Sequence, residues 1–119
     1  MKKENTENLW VIQGSEFVHD FLYRDEATGD VVPLTGYTVR AQLRASTWSA
    51  SPTYEFPADN TGISILDAAN GVVRMAIPAS VSAAWKFDRA QFDIEIVDAL
   101  NRPTRLVKGT VFISREMTR

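Results

Sequence analysis

The sequence contains no cysteine and only one histidine, His19. The first absence excludes disulfides and thiolate metal sites. The second leaves a nucleophilic triad with one candidate base, and that base lies between Phe17 and Phe21 in an alternating segment. It reads as a satisfied or half-exposed strand histidine rather than a catalytic one. No uninterrupted apolar stretch approaches the ~20 residues of a membrane span. Met1-Lys2-Lys3 leads into Glu, Asn and Thr, which is not the start of a signal peptide, so a soluble chain kept in the cytoplasm of the producing cell is expected. Neither sign of charge dominates. Thirteen basic and 15 acidic residues leave a formal charge of −2, with no basic stripe for nucleic acid and no polybasic cluster for a membrane. The glycines form no phosphate-binding loop, and no cofactor is expected.

What the chain has instead is alternation. Phe92, Ile94 and Ile96 fall on one face of a strand and Gln91, Asp93 and Glu95 on the other. Across a turn at Asn101-Arg102-Pro103, Val107, Gly109, Val111 and Ile113 point inward, and Leu106, Lys108, Thr110 and Phe112 point outward. Period 2 sustained twice predicts an antiparallel hairpin over 90–114 with one buried face. Pairing it about the turn sets Glu95 opposite Lys108, Asp98 opposite Arg105, Phe92 opposite Val111 and Ile96 opposite Val107.

The rest of the chain repeats the pattern at shorter range. A short apolar run, Leu9 to Gln13, precedes a Gly14-Ser15 break. From Glu16 to Arg24, Phe17, His19, Phe21 and Tyr23 share one face, and Val18, Asp20 and Leu22 the other. Apolar residues on both faces predict a strand partly covered on each side. Asp25 to Asp30 has turn chemistry around Gly29. Tyr37 to Arg44 alternates Val39, Ala41 and Leu43 with Arg40, Gln42 and Arg44, giving one apolar and one cationic face. Tyr54 to Phe56 reads as a short strand, and 62–77 as a second hairpin turning at Asn70-Gly71. Pro78 to Lys86 is the one helix candidate, a single turn with Val81 and Trp85 able to plug one end of the fold. At 119 residues the chain suffices for one domain burying roughly two thirds of its extended surface. Seven or eight short strands predict an all-β sandwich, with a flexible arm at 1–8, the sandwich at 9–115 and a tail at 116–119.

Candidate chemistry is sparse. Asp93 and Glu95 lie about 6.6 Å apart by strand rise, near the separation of glycosidase carboxylates, but both fall on a solvated face with a lysine opposite Glu95. Asp59, Asn60, Asp67 and Asn70 could offer oxygens to calcium, yet they lack alternating D-x-D spacing and are equally good turn formers. The Arg40 and Arg44 face could meet an acidic partner or simply keep a strand wet. Trp48, isolated among Ser, Thr and Ala, is a candidate contact residue. With Tyr54 and Trp85 it could also form a stacking platform, as in a carbohydrate- or ligand-binding sandwich module.

The order of motifs carries a resemblance. Gly14-Ser15-x-Phe17, the Asp25-to-Gly29 turn, and Pro33-Leu34-Thr35-Gly36 leading to Arg40 and Arg44 come first. Ile63-x-Ile65-x-Asp67-x-x-x-Gly71, the 81–85 stretch VSAAW, Phe92-Asp93-Ile94-Glu95 and Gly109 through Arg119 follow. Together, over Leu9 to the end, they resemble small virion-associated proteins of tailed bacteriophages and prophages. These are similar to the immunoglobulin-like N-terminal domain of phage baseplate upper proteins. The resemblance implies an all-β, immunoglobulin-like antiparallel β-sandwich and a non-enzymatic structural protein. It would be present in several copies on the head, neck, tail or baseplate, made in the host cytoplasm and assembled into the virion. Its partners would be other virion proteins, met through sheet edges, the N-terminal arm and a tail carrying Arg115, Met117 and Arg119.

Overall fold

The computed structural model describes residues 6–25, 27–45 and 53–115. Among them are β1 (Leu9–Ile12), β2 (Phe17–Leu22), β3 (Thr38–Arg44), β4 (Tyr54–Glu55), β5 (Ile63–Asp67), β6 (Val72–Ile77), one helical turn α1 (Ala79–Ala83), β7 (Arg89–Val97) and β8 (Pro103–Ser114). They form a five-stranded sheet in the order β1-β8-β7-β3-β4 and a three-stranded sheet in the order β2-β6-β5. This is the immunoglobulin arrangement, with the second, fifth and sixth strands in one sheet. The third, seventh and eighth form the other, extended by β4 as variable-type domains extend theirs. The pairings are antiparallel except one, for β1 runs parallel to β8.

Alternation places the core. Leu43, Ile94, Ile96 and Val111 from one sheet face Ile63, Val73, Met75 and Ile77 from the other, all without solvent contact. Phe21 on β2 and Phe92 on β7 meet across the sheets with ring centroids 6.3 Å apart. These are the two strands that the inter-sheet disulfide joins in antibody domains. The α1 turn does close one end of the sandwich. Trp85 is buried beyond it, edge-on to Tyr54 at 5.5 Å and tilted against Phe87 at 5.1 Å. Gln13 Nε2 donates to the Trp85 carbonyl at 3.0 Å, and the Gly14 amide donates to the buried Ser82 hydroxyl at 2.9 Å.

The hairpin of β7 and β8 has the expected facing but a different register. Asp93, not Glu95, lies opposite Lys108; Ala90 lies opposite Val111 and Ile94 opposite Val107. A shift by two residues leaves every inward residue inward. The turn closes earlier than its Asn-Arg-Pro centre suggests, because Asp98 organises it. Its carboxylate accepts the amides of Leu100 and Arg102, each at 2.9 Å, and the Arg102 guanidinium at 2.8 Å. Asn101 takes up a left-handed φ of 64°. Asp98 is therefore bound to Arg102, not to Arg105, and this backbone and side-chain bonding holds its carboxyl below the usual range. Beyond the turn one residue is extra. The register shifts between Ile94 and Glu95, so Glu95 faces Arg105. This bulge at Leu106 turns that side chain, expected outside, into the core beside Val107.

The N-terminal segment meets β8 from Thr6 onward. Thr6 bridges Lys108, and the Glu7 amide donates to the Lys108 carbonyl at 2.9 Å. The Thr110 amide donates to Asn8 Oδ1 at 3.2 Å, and His19 Nε2 donates to Glu7 Oε1 at 2.9 Å. Glu7 thus links β8 of one sheet to β2 of the other along the open side of the sandwich. Gly109 admits it, since a Cβ there would come within 2.7 Å of the Glu7 carbonyl carbon and closer still to its oxygen.

Two outcomes follow for stability. Ile94→Asp sets an unpaired charge in the core and abolishes the folded state. Asp93→Ala, on the outer face, changes stability by less than about 0.5 kcal/mol; thermal melts of both variants that coincide would refute the facing. Gly109→Ala displaces Glu7 and costs roughly 1–3 kcal/mol. An unchanged denaturation midpoint would show that the segment at 6–8 is not seated against β8.

Candidate docking surface

The outer face of the five-stranded sheet carries Arg40, Arg44, Asp93 and Glu95 of the residues that the sequence singles out. Cross-strand register aligns Arg40 with Glu95 and Gln42 with Asp93. Arg40 Nε donates to Glu95 Oε1 at 2.7 Å. Arg44 donates to Gln42 Oε1 at 2.8 Å, and Gln42 Nε2 to Glu55 Oε1 at 3.3 Å. Arg105 lies 3.8 Å from Asp93. Arg40 is therefore ion-paired across the sheet and Arg44 is bonded to a neutral amide oxygen, and the two carboxylates considered for hydrolysis each face an arginine. A depression of about 280 Å³ lies on this face, lined by Arg44, Gln91, Asp93, Arg105 and Lys108 among others. It is a wet, ion-paired surface, worth little per pair in stability.

The remaining candidates are placed elsewhere. His19, half-buried at the open side of the sandwich, is bonded to Glu7 and packs edge-on against Phe21 at 4.6 Å. Asp59 accepts the Thr61 amide at 2.8 Å and the Thr61 hydroxyl at 2.5 Å, bonds that hold its carboxyl below the usual range. Asp67 accepts the Asn70 side-chain amide at 2.8 Å. Both acids act as turn organisers, and no cluster of three or more His, Cys, Asp or Glu residues suited to a metal ion forms among the described residues.

Arg115, expected to meet partners, is bonded within the fold through its guanidinium. It donates to the carbonyls of Trp85, Lys86 and Phe87 at 3.0 to 3.2 Å and to Asp88 at 3.0 Å. Trp85 is packed into the core, so it cannot serve as a stacking platform beside Tyr54. Burial, with the charge of Asp59 nearby, raises the Tyr54 phenol. Trp48, Met117 and Arg119 lie outside the described residues.

The residues that sequence reasoning passed over are on β1. Trp10 is 64% exposed and Ile12 51%, whereas Leu9 and Val11 are buried. Trp10 stacks on Phe112 of β8, with centroids 5.4 Å apart and planes inclined by 21°. β1 is the outermost strand of its sheet. The Glu7 and Gln13 amides donate to the Lys108 and Ser114 carbonyls, steps of two from one end of the ladder to the other. By that parity Leu9 and Val11 turn their amides to β8, and Trp10 and Ile12 turn theirs to the free edge. Among the described residues no strand pairs with this outer edge, whose Ile12 carbonyl accepts the Ser15 amide at 3.0 Å, so an aromatic stack and an unpaired strand edge coincide. The alternation of Leu9, Trp10, Val11 and Ile12 was readable, but four residues apolar on both faces do not say which face is wet.

No family model matches the chain, and no curated protein matches it. Among solved structures it is similar to the extracellular domain of the voltage-gated sodium channel β4 subunit, a parallel homodimer with a role in cell–cell adhesion. The identity is 8%, over 98% of both chains, at a TM-score of 0.49. A structure from work on multimeric cell-adhesive interactions of sodium channel β subunits is 9% identical over 99% of this chain and 98% of that one, at 0.45. A family 123 glycoside hydrolase from Clostridium perfringens is 14% identical over 94% of this chain but 23% of its own, at 0.36. At these identities and scores none of the three carries an inference about this chain, whose fold stands on its own strand order.

Proposed function

We propose that this protein is a non-enzymatic docking module whose sandwich presents the β1 edge to a partner protein. The observation that carries the reading is the stacking of the exposed Trp10 on Phe112, on a strand whose outer edge no other strand pairs among the described residues. An extended partner segment can add to such an edge by main-chain hydrogen bonds, with the aromatic stack as its anchor. Natural sheets usually blunt an edge with charge or proline. Leu9–Ile12 contains neither.

The motif order that resembles small tailed-phage proteins supplies the class of partner, namely other structural proteins of the virion. Multiple copies per particle follow from that class. The ion-paired outer face of the same sheet then acts as the solvated flank of the contact, and Arg40 and Arg44 serve it rather than anchor it.

Co-sedimentation with particles assembled without this protein tests the reading. Trp10→Ala and Ile12→Lys should each reduce attachment about tenfold or more, as loss of an interface anchor does, with melting temperatures close to the wild type. Arg40→Ala should attach normally. Full attachment of both β1 variants, or loss of attachment with Arg40→Ala alone, would overturn the reading and return the contact to the cationic stripe.

A further inference from the structure

The β2 segment is apolar on both faces, a pattern that calls for cover on both sides, and the fold covers only one. Phe21 is buried on the inner side, while Val18 and Leu22 remain 49% and 47% exposed on the outer side. The register sets Val18 beside Ala76 and Leu22 beside Val72. Leu66, at the bulge of β5 next to Val72, is 50% exposed. Between these apolar rows lies one charged row, in which Arg74 grips Asp20 with two bonds of 2.7 and 3.0 Å. The outer face of the larger sheet carries the Arg40–Glu95 and Arg105–Asp93 pairs at its centre and the Trp10–Phe112 stack at its β1 side. On this smaller face the β2 and β6 strands are aliphatic around the Asp20–Arg74 pair, and β5 adds Ser64 beside Arg74 and Asp67 beside Val72 at its far edge.

We propose that the outer face of the three-stranded sheet is a self-association surface, and that its occupant is a second copy of this chain packed face to face about a two-fold axis. Charge and symmetry select the axis. A two-fold lying along the charged row would set Asp20 on Asp20 and Arg74 on Arg74, which like-charge repulsion forbids. A two-fold parallel to the strands, between β2 and β6, sets Asp20 opposite the second copy's Arg74. The same axis sets Val18 opposite Ala76 and Leu22 opposite Val72. These β2–β6 contacts are then apolar on apolar or opposite charge on opposite charge, as an isologous interface requires, and β5 lies beyond them. The Arg74 hydrogen bonds already hold the Asp20 carboxyl below its usual range, so the pair enters the contact ionised. The face is only three strands wide, which fits a reversible, concentration-dependent dimer rather than an obligate one. It lies on the opposite sheet from β1, so the inference stands apart from the proposed docking edge, and one molecule can use both surfaces at once.

Sedimentation velocity over a concentration series tests this, with thermal melts of each variant alongside. The wild type should show a monomer–dimer equilibrium, and Leu22→Glu should weaken it at least tenfold with an unchanged melt at the lowest concentration. Asp20→Arg makes the charged row wholly positive and Arg74→Asp makes it wholly negative. Each should be monomeric alone, and an equal mixture should form heterodimers. A wild type that stays monomeric throughout, or a dimer indifferent to Leu22→Glu, would overturn the surface. A mixture that stays monomeric would overturn the two-fold.

Discussion

In a chain without cysteine, the two sheets are held together by apolar burial across their inner faces, and every other feature is arranged around that contact. Phe21 and Phe92 meet between the strands that a disulfide joins in antibody domains. Around them Ile63, Met75, Ile94 and Val111 are wholly buried. Because the contact is non-directional, it fixes which residues face inward more firmly than which residues lie opposite each other. The two-residue difference between expected and observed pairing in the β7–β8 hairpin costs the core nothing, for the same side chains still point in.

Directional interactions settle what burial leaves open. Asp98 sets where the hairpin turns, the bulge at Leu106 absorbs the extra residue, and Gly109 leaves the gap through which Glu7 reaches His19. These three features lie along one hairpin, and together they bring the N-terminal segment against β8 in parallel. One edge of the five-stranded sheet is consequently β1, with its tryptophan exposed, and β4 is the other. Function, as proposed, follows from where the fold runs out of strands to pair.

The strand segments, the helical turn and the inward faces were legible because period 2 is a local property of the chain. The parallel pairing of β1 with β8 joins residues a hundred positions apart, and nothing in Leu9–Ile12 announces it. Leu106 and Val107 are both apolar, so the bulge that buries both left no mark in the pattern. The charge partners changed with the register: complementarity was correctly anticipated, yet Glu95 meets Arg40 and Arg105 rather than Lys108. Arg115 looked like a loose tail residue because its partners are backbone carbonyls, which side-chain chemistry cannot reveal. The partial cover expected on each side of β2 is met on one side alone among the described residues: Phe21 is buried, whereas Val18 and Leu22 stay about half exposed. The bare side is itself informative.

The account rests most directly on β1 being bonded on one side and open on the other, and amide hydrogen exchange resolved residue by residue measures this. In the isolated protein the amides of Glu7, Leu9, Val11 and Gln13 should be protected by their bonds to β8, while those of Trp10 and Ile12 exchange rapidly. Adding the docking partner should slow Trp10 and Ile12 alone. Uniformly fast exchange from Glu7 to Gln13 would mean that the segment is not part of the sheet. Uniform protection in the free protein would mean that the edge is already covered, and either result would contradict the account.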